Sequence, residues 1–345
     1  LERNLVSKRP PLIGLMLGDA AGIGPEIAVK ALASETLQGM ARVVLFGDRR
    51  VLEMGIREAG VSIPFAAHGA LDGAVRDAAV PLVELGNCDP GLIAKGRASA
   101  AAGRACIETL QRLVDHAQAG ELDAICFAPI NKAALHMGGS PFNDGAGLIA
   151  SMTGFEGDFG EMNVIPQFST FRVTSHVSLR EALDLITPER IIRVVRLADR
   201  TLASMGRQRP RLGVAALNPH AGDEGLFGDE EIRIIAPTVR QLQAEGLRVQ
   251  GPIPADTIFL RARDGEFDAV VMMYHDQGQI ATKLLGFDKG VTVQAGQPLV
   301  ITTPAHGTAF DIAGEGRADP GSMEYALRLA ARLATERIRQ STARS

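Results

Sequence analysis

His306-Gly307-Thr308-Ala309-Phe310-Asp311-Ile312-Ala313-Gly314-Glu315-Gly316-Arg317-Ala318-Asp319-Pro320 is the most informative segment of the chain. It sets a histidine, glycines and acidic side chains in one loop that runs toward a helical pattern starting near Ser322. Glycine lets backbone N–H groups come close to a ligand, and a carboxylate can grip ribose hydroxyls. The usual Gly-x-Gly-x-x-Gly dinucleotide fingerprint is absent from the chain. A nucleotide bound here needs another scaffold, with His306, Gly307, Thr308, Ala309, Asp311 and Asp319 on the cofactor side.

Around this loop, short apolar runs alternate with longer helical patterns. Leu12–Leu17, Arg42–Phe46, Asp123–Phe127, Phe171–Ser175, Leu212–Ala216 and Ala269–Met273 read as strands. Pro25–Ala33, Ser99–Ala117, Pro188–Ser204, Glu230–Glu245 and Ser322–Arg337 read as helices. This alternation predicts an α/β protein with much parallel or mixed sheet. The 345 residues suit about two domains.

Composition excludes several classes. The formal net charge is −4 and there is no dense basic run, which argues against a nucleic-acid surface. Cys88, Cys106 and Cys126 are scattered, so neither a disulfide framework nor a local metal motif is expected, and a reducing cytoplasm is the simplest compartment. No apolar run is long enough to span a bilayer, and Leu1 to Pro11 lacks a signal-peptide apolar region. No membrane partner is expected.

Two further groups of residues carry chemistry. Gly18-Asp19-Ala20-Ala21-Gly22-Ile23-Gly24-Pro25-Glu26 follows the first strand and opens the first helix. Pro25 suits a first helical position and Glu26 complements the helix dipole. The glycines serve either a ligand or simply a tight turn. The second group is His176, His220 and His275, each near the end of a strand pattern. Carboxyl ends of strands line the ligand crevice of an α/β sheet, so three neutral imidazoles there can converge on one divalent ion. His68, His116 and His136 read as surface or packing residues. Asp256 and Asp276 are the acids expected near the ion, Asp256 also reading as a helix N-cap. Lys283 lies seven residues beyond Asp276 on a helical pattern and can add a cation. Asp229-Glu230-Glu231 reads as an acidic helix start and nothing more.

With these motifs in hand, the chain resembles the 4-hydroxythreonine-4-phosphate dehydrogenase family of pyridoxine biosynthesis from about Ile13 to Leu333. The resemblance is carried by Gly18–Glu26, Ala128-Pro129-Ile130-Asn131-Lys132, Asn218–Gly222, Gly251–Thr257, Tyr274–Gly278 and His306–Asp319. It implies an isocitrate/isopropylmalate dehydrogenase-like fold with two α/β domains and a cleft between them. Residues 1–130 with 286–345 would form the cofactor side, and residues 131–285 the metal, substrate and dimerisation side. It also implies NAD, one divalent metal ion per site (zinc, or magnesium, manganese or cobalt) on His176, His220 and His275, and a homodimer with a shared active site. The family's acids near the metal fall on Asp256 and Asp276 and its substrate lysine on Lys283, and these three are the candidate catalytic residues.

The chain departs from the family at the substrate. The family's Gly-His-Thr-Glu pattern is replaced by Asp144-Gly145-Ala146-Gly147, so its His-Thr pair becomes Gly145 and Ala146. A substrate-contacting Asn becomes Thr292 and a substrate-contacting Arg becomes Ile301. Losing a His and an Arg removes charge-assisted bonds to a phosphate. The expectation is therefore NAD-dependent, metal-assisted oxidation and decarboxylation of a β-hydroxy acid, with terephthalate cis-dihydrodiol (to protocatechuate) as substrate. The alternative is 4-hydroxythreonine 4-phosphate or a related phosphorylated hydroxy acid. Two readings from other classes are a metal-dependent hydrolase and a non-catalytic ligand-binding homologue; NAD dependence separates the dehydrogenase from both.

Overall fold

The structure is a computed structural model that describes residues 9–74, 79–142 and 145–342. The chain divides into two compact units, Leu1–Glu156 with Gln297–Ser345, and Gly157–Gly296. Residues 131–156 thus belong with the first unit, and 286–296 with the second.

The first unit runs through β1 (Leu12–Met16), α1 (Gly24–Ala33), β2 (Arg42–Gly47), α2 (Arg49–Ala59), β3 (Phe65–His68), α3 (Leu71–Ala74), β4 (Val80–Glu84), α4 (Ala100–Gln118), β5 (Ala124–Phe127), α5 (Lys132–Met137) and α6 (Gly145–Thr153). The second holds β6 (Gly160–Val164), β7 (Ser169–Arg172), α7 (Leu179–Leu185), α8 (Pro188–Ser204), β8 (Leu212–Ala215), α9 (Ala236–Ala244), β9 (Val249–Ile253), α10 (Ala255–Arg263), β10 (Ala269–Met272), α11 (His275–Gly286) and β11 (Val291–Ala295). The chain then completes the first unit with β12 (Ile301–Pro304) and α12 (Gly321–Thr342).

The first unit's strands lie in the order β3-β4-β2-β1-β5-β12 and are parallel throughout. Parallel strands are covered on both faces and therefore read as continuous apolar runs. Every residue of β1 is buried, and Met16, Phe46 and Ile125 pack with Leu110 and Leu113 of α4. The second unit's strands lie in the order β11-β6-β7-β10-β8-β9. Here β6 is antiparallel to both neighbours, while β7, β10, β8 and β9 are parallel. Its core is Ile165, Phe168, Ile258, Phe259, Phe267, Val270 and Met272.

Local chemistry sets the boundaries. Ser99 caps α4 and Thr187 caps α8, each side chain accepting from a backbone N–H three residues on. The strand expected at Phe171–Ser175 instead ends at Arg172. The helix expected over Glu230–Glu245 begins as a π-helical turn, Glu231–Ile235, before α9. β3, β4, β6, β9, β11 and β12 escape the sequence pattern because they are short, half-buried or polar, as in Gly-Glu-Met-Asn-Val of β6. Cys88, Cys106 and Cys126 are free and buried. Among the described residues no helix is long and apolar enough to cross a membrane. Residues 1–8 of the leading segment lie outside the described residues.

Candidate active site

In the first unit the loop after β1 and the loop before α12 form one body. Ile23 N donates to Thr308 O at 3.0 Å. A side chain at Gly22 would meet Thr308 Cβ and O at 2.7 Å, so glycine is required by this close approach. Glu26, fully buried, accepts from Ala318 N at 2.8 Å and from Lys30 Nζ at 2.7 Å on the same oxygen. Lys30 Nζ also donates to the carbonyls of Gly316 and Ala318, at 2.9 Å each. Glu26 and Lys30 therefore clamp the glycine-rich segment, a role beyond dipole complementarity. Asp19 is fully buried as well. Its Oδ1 accepts from Ala21 N, its Oδ2 has no partner among the described residues, and burial pushes its carboxyl above the ordinary range.

His306 sits at the mouth of this body. Its Nδ1 lies 2.9 Å from Gly307 O, and a carbonyl only accepts, so Nδ1 carries the hydrogen. Burial holds its pKa below the ordinary 6.5, which leaves Nε2 as a bare acceptor at neutral pH. Such an acceptor fits a base amino group or a ribose hydroxyl. Ala309 adopts a left-handed φ of 41° and Thr308 is buried. Asp311 is exposed. Asp319 accepts from Gly321 N at 2.8 Å and so opens α12.

In the second unit three histidine-bearing loops are stitched together by side chains. Thr174 Oγ1 donates to Met273 O at 2.8 Å, tying the His176 loop to the His275 loop. Gln277 accepts from Met273 N at 2.7 Å and donates to Ala216 O at 2.6 Å, tying the His275 loop to the His220 loop. The rings of His176 and His275 approach to 5.7 Å between centroids. His176 and His220 both take left-handed backbone, with φ of 55° and 53°. His220 opens a run in which Ala221, Gly222, Asp223 and Glu224 are left-handed too. For non-glycine residues this conformation costs roughly 1–2 kcal/mol each, so something must hold it.

Glu231 holds it, contrary to the reading of Asp229-Glu230-Glu231 as a bare helix start. Only 3% exposed, it accepts from Leu217 N at 2.7 Å and Asn218 N at 2.8 Å on one oxygen. Its other oxygen accepts from Asn218 Nδ2 at 2.9 Å. The signal was an acid thirteen residues beyond Asn218, in a stretch that looked like ordinary helix chemistry. It sits on the π-helical turn, an irregularity common at functional sites.

The remaining site residues fall as follows. His275 Nδ1 lies 2.6 Å from Asp276 Oδ1, which fixes that nitrogen as the donor and leaves Nε2 free to ligate. Asp256 is exposed in the first turn of α10, where Pro254 rather than Asp256 takes the N-cap place. α10 packs against the Pro219–Gly225 loop. Lys283 is exposed in the last turn of α11. Thr292 is buried, and its hydroxyl accepts from Asn163 Nδ2 at 2.9 Å. Gly145 begins α6 with Ala146 buried behind it, while Asn143 and Asp144 lie outside the described residues. Ile301 is fully buried in the first unit's core. His136 is exposed on α5. Among the described residues no group of three or more His, Cys, Asp or Glu is arranged to hold a metal ion. One chain brings His176 and His275 together without gathering His220 to them as a third ligand.

Comparison with known proteins decides the family. The profile described as pyridoxal phosphate biosynthetic protein PdxA matches residues 39–330. The chain belongs to the PdxA family. It is 43% identical over 330 residues to the D-threonate 4-phosphate dehydrogenase of Cupriavidus necator, covering 95% of this chain and 98% of that protein. The solved 4-hydroxythreonine-4-phosphate dehydrogenase of Burkholderia phymatum is 41% identical with a TM-score of 0.78, covering 94% of this chain and 99% of that one. Its counterpart from Klebsiella pneumoniae is 38% identical with a TM-score of 0.84, covering 95% and 99%. PdxA relatives are thus dehydrogenases, and this chain is a member of a dehydrogenase family.

The same comparisons overturn the dihydrodiol expectation. The terephthalate 1,2-cis-dihydrodiol dehydrogenase of Burkholderia xenovorans is 30% identical with a TM-score of 0.62, covering 94% of this chain and 98% of that one. Both measures fall below those of the enzymes of phosphorylated substrates. Gly145, Ala146 and Ile301 were over-read: Ala146 and Ile301 are packing residues here, so their apolar character says little about what a substrate carries.

Proposed function

We propose that this chain is an NAD-dependent dehydrogenase of a phosphorylated hydroxy acid whose reacting hydroxyl lies β to a carboxylate. The leading candidate is 4-hydroxythreonine 4-phosphate, and the 2-hydroxy analogue D-threonate 4-phosphate is the second. The observation that carries this reading is the clamped loop His306–Asp319, whose neutral His306 offers an acceptor beside a glycine-rich turn. NAD, when bound, would take a hydride from the carbon bearing the hydroxyl while the hydroxyl proton leaves to a base. Asp256 and Asp276 are the acids offered for that proton, and Lys283 the cation for the charge that follows. The resulting β-keto acid can lose carbon dioxide, its C–C electrons passing to an enolate that is then protonated.

A divalent ion on His176, His220 and His275 belongs to the same reading and would lower the pKa of the substrate hydroxyl. The residues fit in part: the His176–His275 approach and the Asp276-fixed tautomer suit ligation, and a third ligand has to be added to them. A homodimer with a shared site, in the isocitrate/isopropylmalate dehydrogenase-like manner, answers that need. It is supported by apolar side chains left bare on the second unit: Leu179 and Leu183 on α7, Leu226 and Phe227, and Ile280 and Leu284 on α11.

The test is NADH formation by the purified, metal-loaded protein with each phosphorylated acid, with its unphosphorylated form, and after chelation. Turnover that requires the phosphate and the metal is expected. Equal turnover without the phosphate, or none with either acid, contradicts the reading.

A further inference from the structure

The face of β6, β7 and β11 beneath α11 carries a row of buried polar side chains that no step above uses. Thr292 stands opposite Asn163 in the β11–β6 register, Asn163 opposite Thr170, and Gln294 opposite Glu161. Arg172, its side chain 5% exposed, donates from one guanidinium nitrogen to Asn163 Oδ1 at 2.9 Å and from the other to Glu161. Gln279 Nε2, one turn beyond His275 on α11, donates to the same Asn163 oxygen at 2.9 Å.

These partners fix the direction of every bond. A guanidinium has donors only, so Asn163 must turn its oxygen to Arg172 and its amide N–H to Thr292. Thr292 Oγ1 is therefore obliged to accept, and its own proton has no acceptor among the described residues. Two neighbours on this face are left short as well: Thr170 Oγ1 and Gln294 Oε1 are buried without a partner among the described residues. Buried polar atoms are rarely left unpaired without a reason such as a ligand or water.

We propose that Arg172 and Asn163 are positioning residues that polarise the Thr292 hydroxyl as a hydrogen-bond donor to an anionic oxygen of the substrate. Resting on the phosphorylated hydroxy acid reading, this deepens it: a buried cation on the same face of the sheet orients a neutral donor through Asn163, in place of a cation that touches the ligand. The oxygen is one of the phosphoryl or carboxyl group.

Steady-state kinetics of the intact protein test this, varying the phosphorylated acid at saturating NAD. A hydrogen bond to a charged acceptor corresponds to roughly ten- to hundredfold in affinity. Thr292→Val is expected to raise KM for the acid by about tenfold or more, with kcat and the KM for NAD within about twofold. Asn163→Asp should do the same, because a carboxylate only accepts and draws the Thr292 proton inward while still receiving Arg172 and Gln279. Thr292→Ser should retain the wild-type KM, and the double variant should be no worse than the worse single one. Inorganic phosphate as competitive inhibitor separates the two oxygens: its inhibition constant rises in Thr292→Val if Thr292 grips the phosphoryl group, and is unchanged if it grips the carboxylate. An unchanged KM in both single variants, additive losses, or a Thr292→Ser variant as impaired as Thr292→Val overturns the proposal. A wild-type protein that oxidises neither phosphorylated acid overturns the underlying function and this inference with it.

Discussion

The first unit holds its glycine-rich segment mainly through backbone groups, with Ile23 N on Thr308 O and the Glu26–Lys30 pair closing on the backbone of residues 316–318. The second unit holds its three histidine loops through side chains that lie outside the motifs themselves, namely Thr174, Gln277 and Glu231. A region fixed by its own backbone announces itself as glycines in one short run. A region fixed by distant amides and carboxylates does not, because Thr, Gln and Glu are unremarkable at any single position.

The largest effect that would break this contrast is at Glu231. Removing a buried carboxylate that accepts three bonds leaves two backbone N–H groups and one Asn218 amide hydrogen without their acceptor, the amide keeping only its bond to Glu230, so Glu231→Ala should cost about 3–5 kcal/mol in urea unfolding. A loss under about 1 kcal/mol would mean that the left-handed run at His220 stands without it. The smaller effect is at His306. Its folded pKa lies below the unfolded value near 6.5, so the unfolded chain takes up the proton first as pH falls. The group contributes nothing above pH 6.5, and stability is lost as pH drops below it. Thermal melts should therefore decline more steeply below that pH for the wild type than for His306→Gln. Parallel curves would mean that the half-buried imidazole is not held neutral.

The same contrast sets what the sequence disclosed. β1, β2 and β5 were legible because parallel, doubly covered strands have apolar residues throughout, whereas β6 and β11 carry the polar row Glu161, Asn163, Thr292 and Gln294 and have no such signature. The nucleotide loop was legible as one contiguous segment. Glu231 was missed because an acid at a helix start has a sufficient local explanation, and the Asp256 N-cap reading failed because Pro254 already occupies the turn. Ile301 misleads about the substrate because an apolar residue in a core and one lining a pocket look alike in sequence, and Ile301 is a core residue.

Calorimetric titration of NAD into the wild type, Glu26→Gln and Glu231→Gln tests the division between the two regions most directly. Binding by the wild type is expected, with affinity weakened roughly tenfold in Glu26→Gln as the Lys30 clamp on residues 316–318 loosens, and wild-type affinity in Glu231→Gln. No NAD binding by the wild type, or equal weakening in both variants, would contradict it.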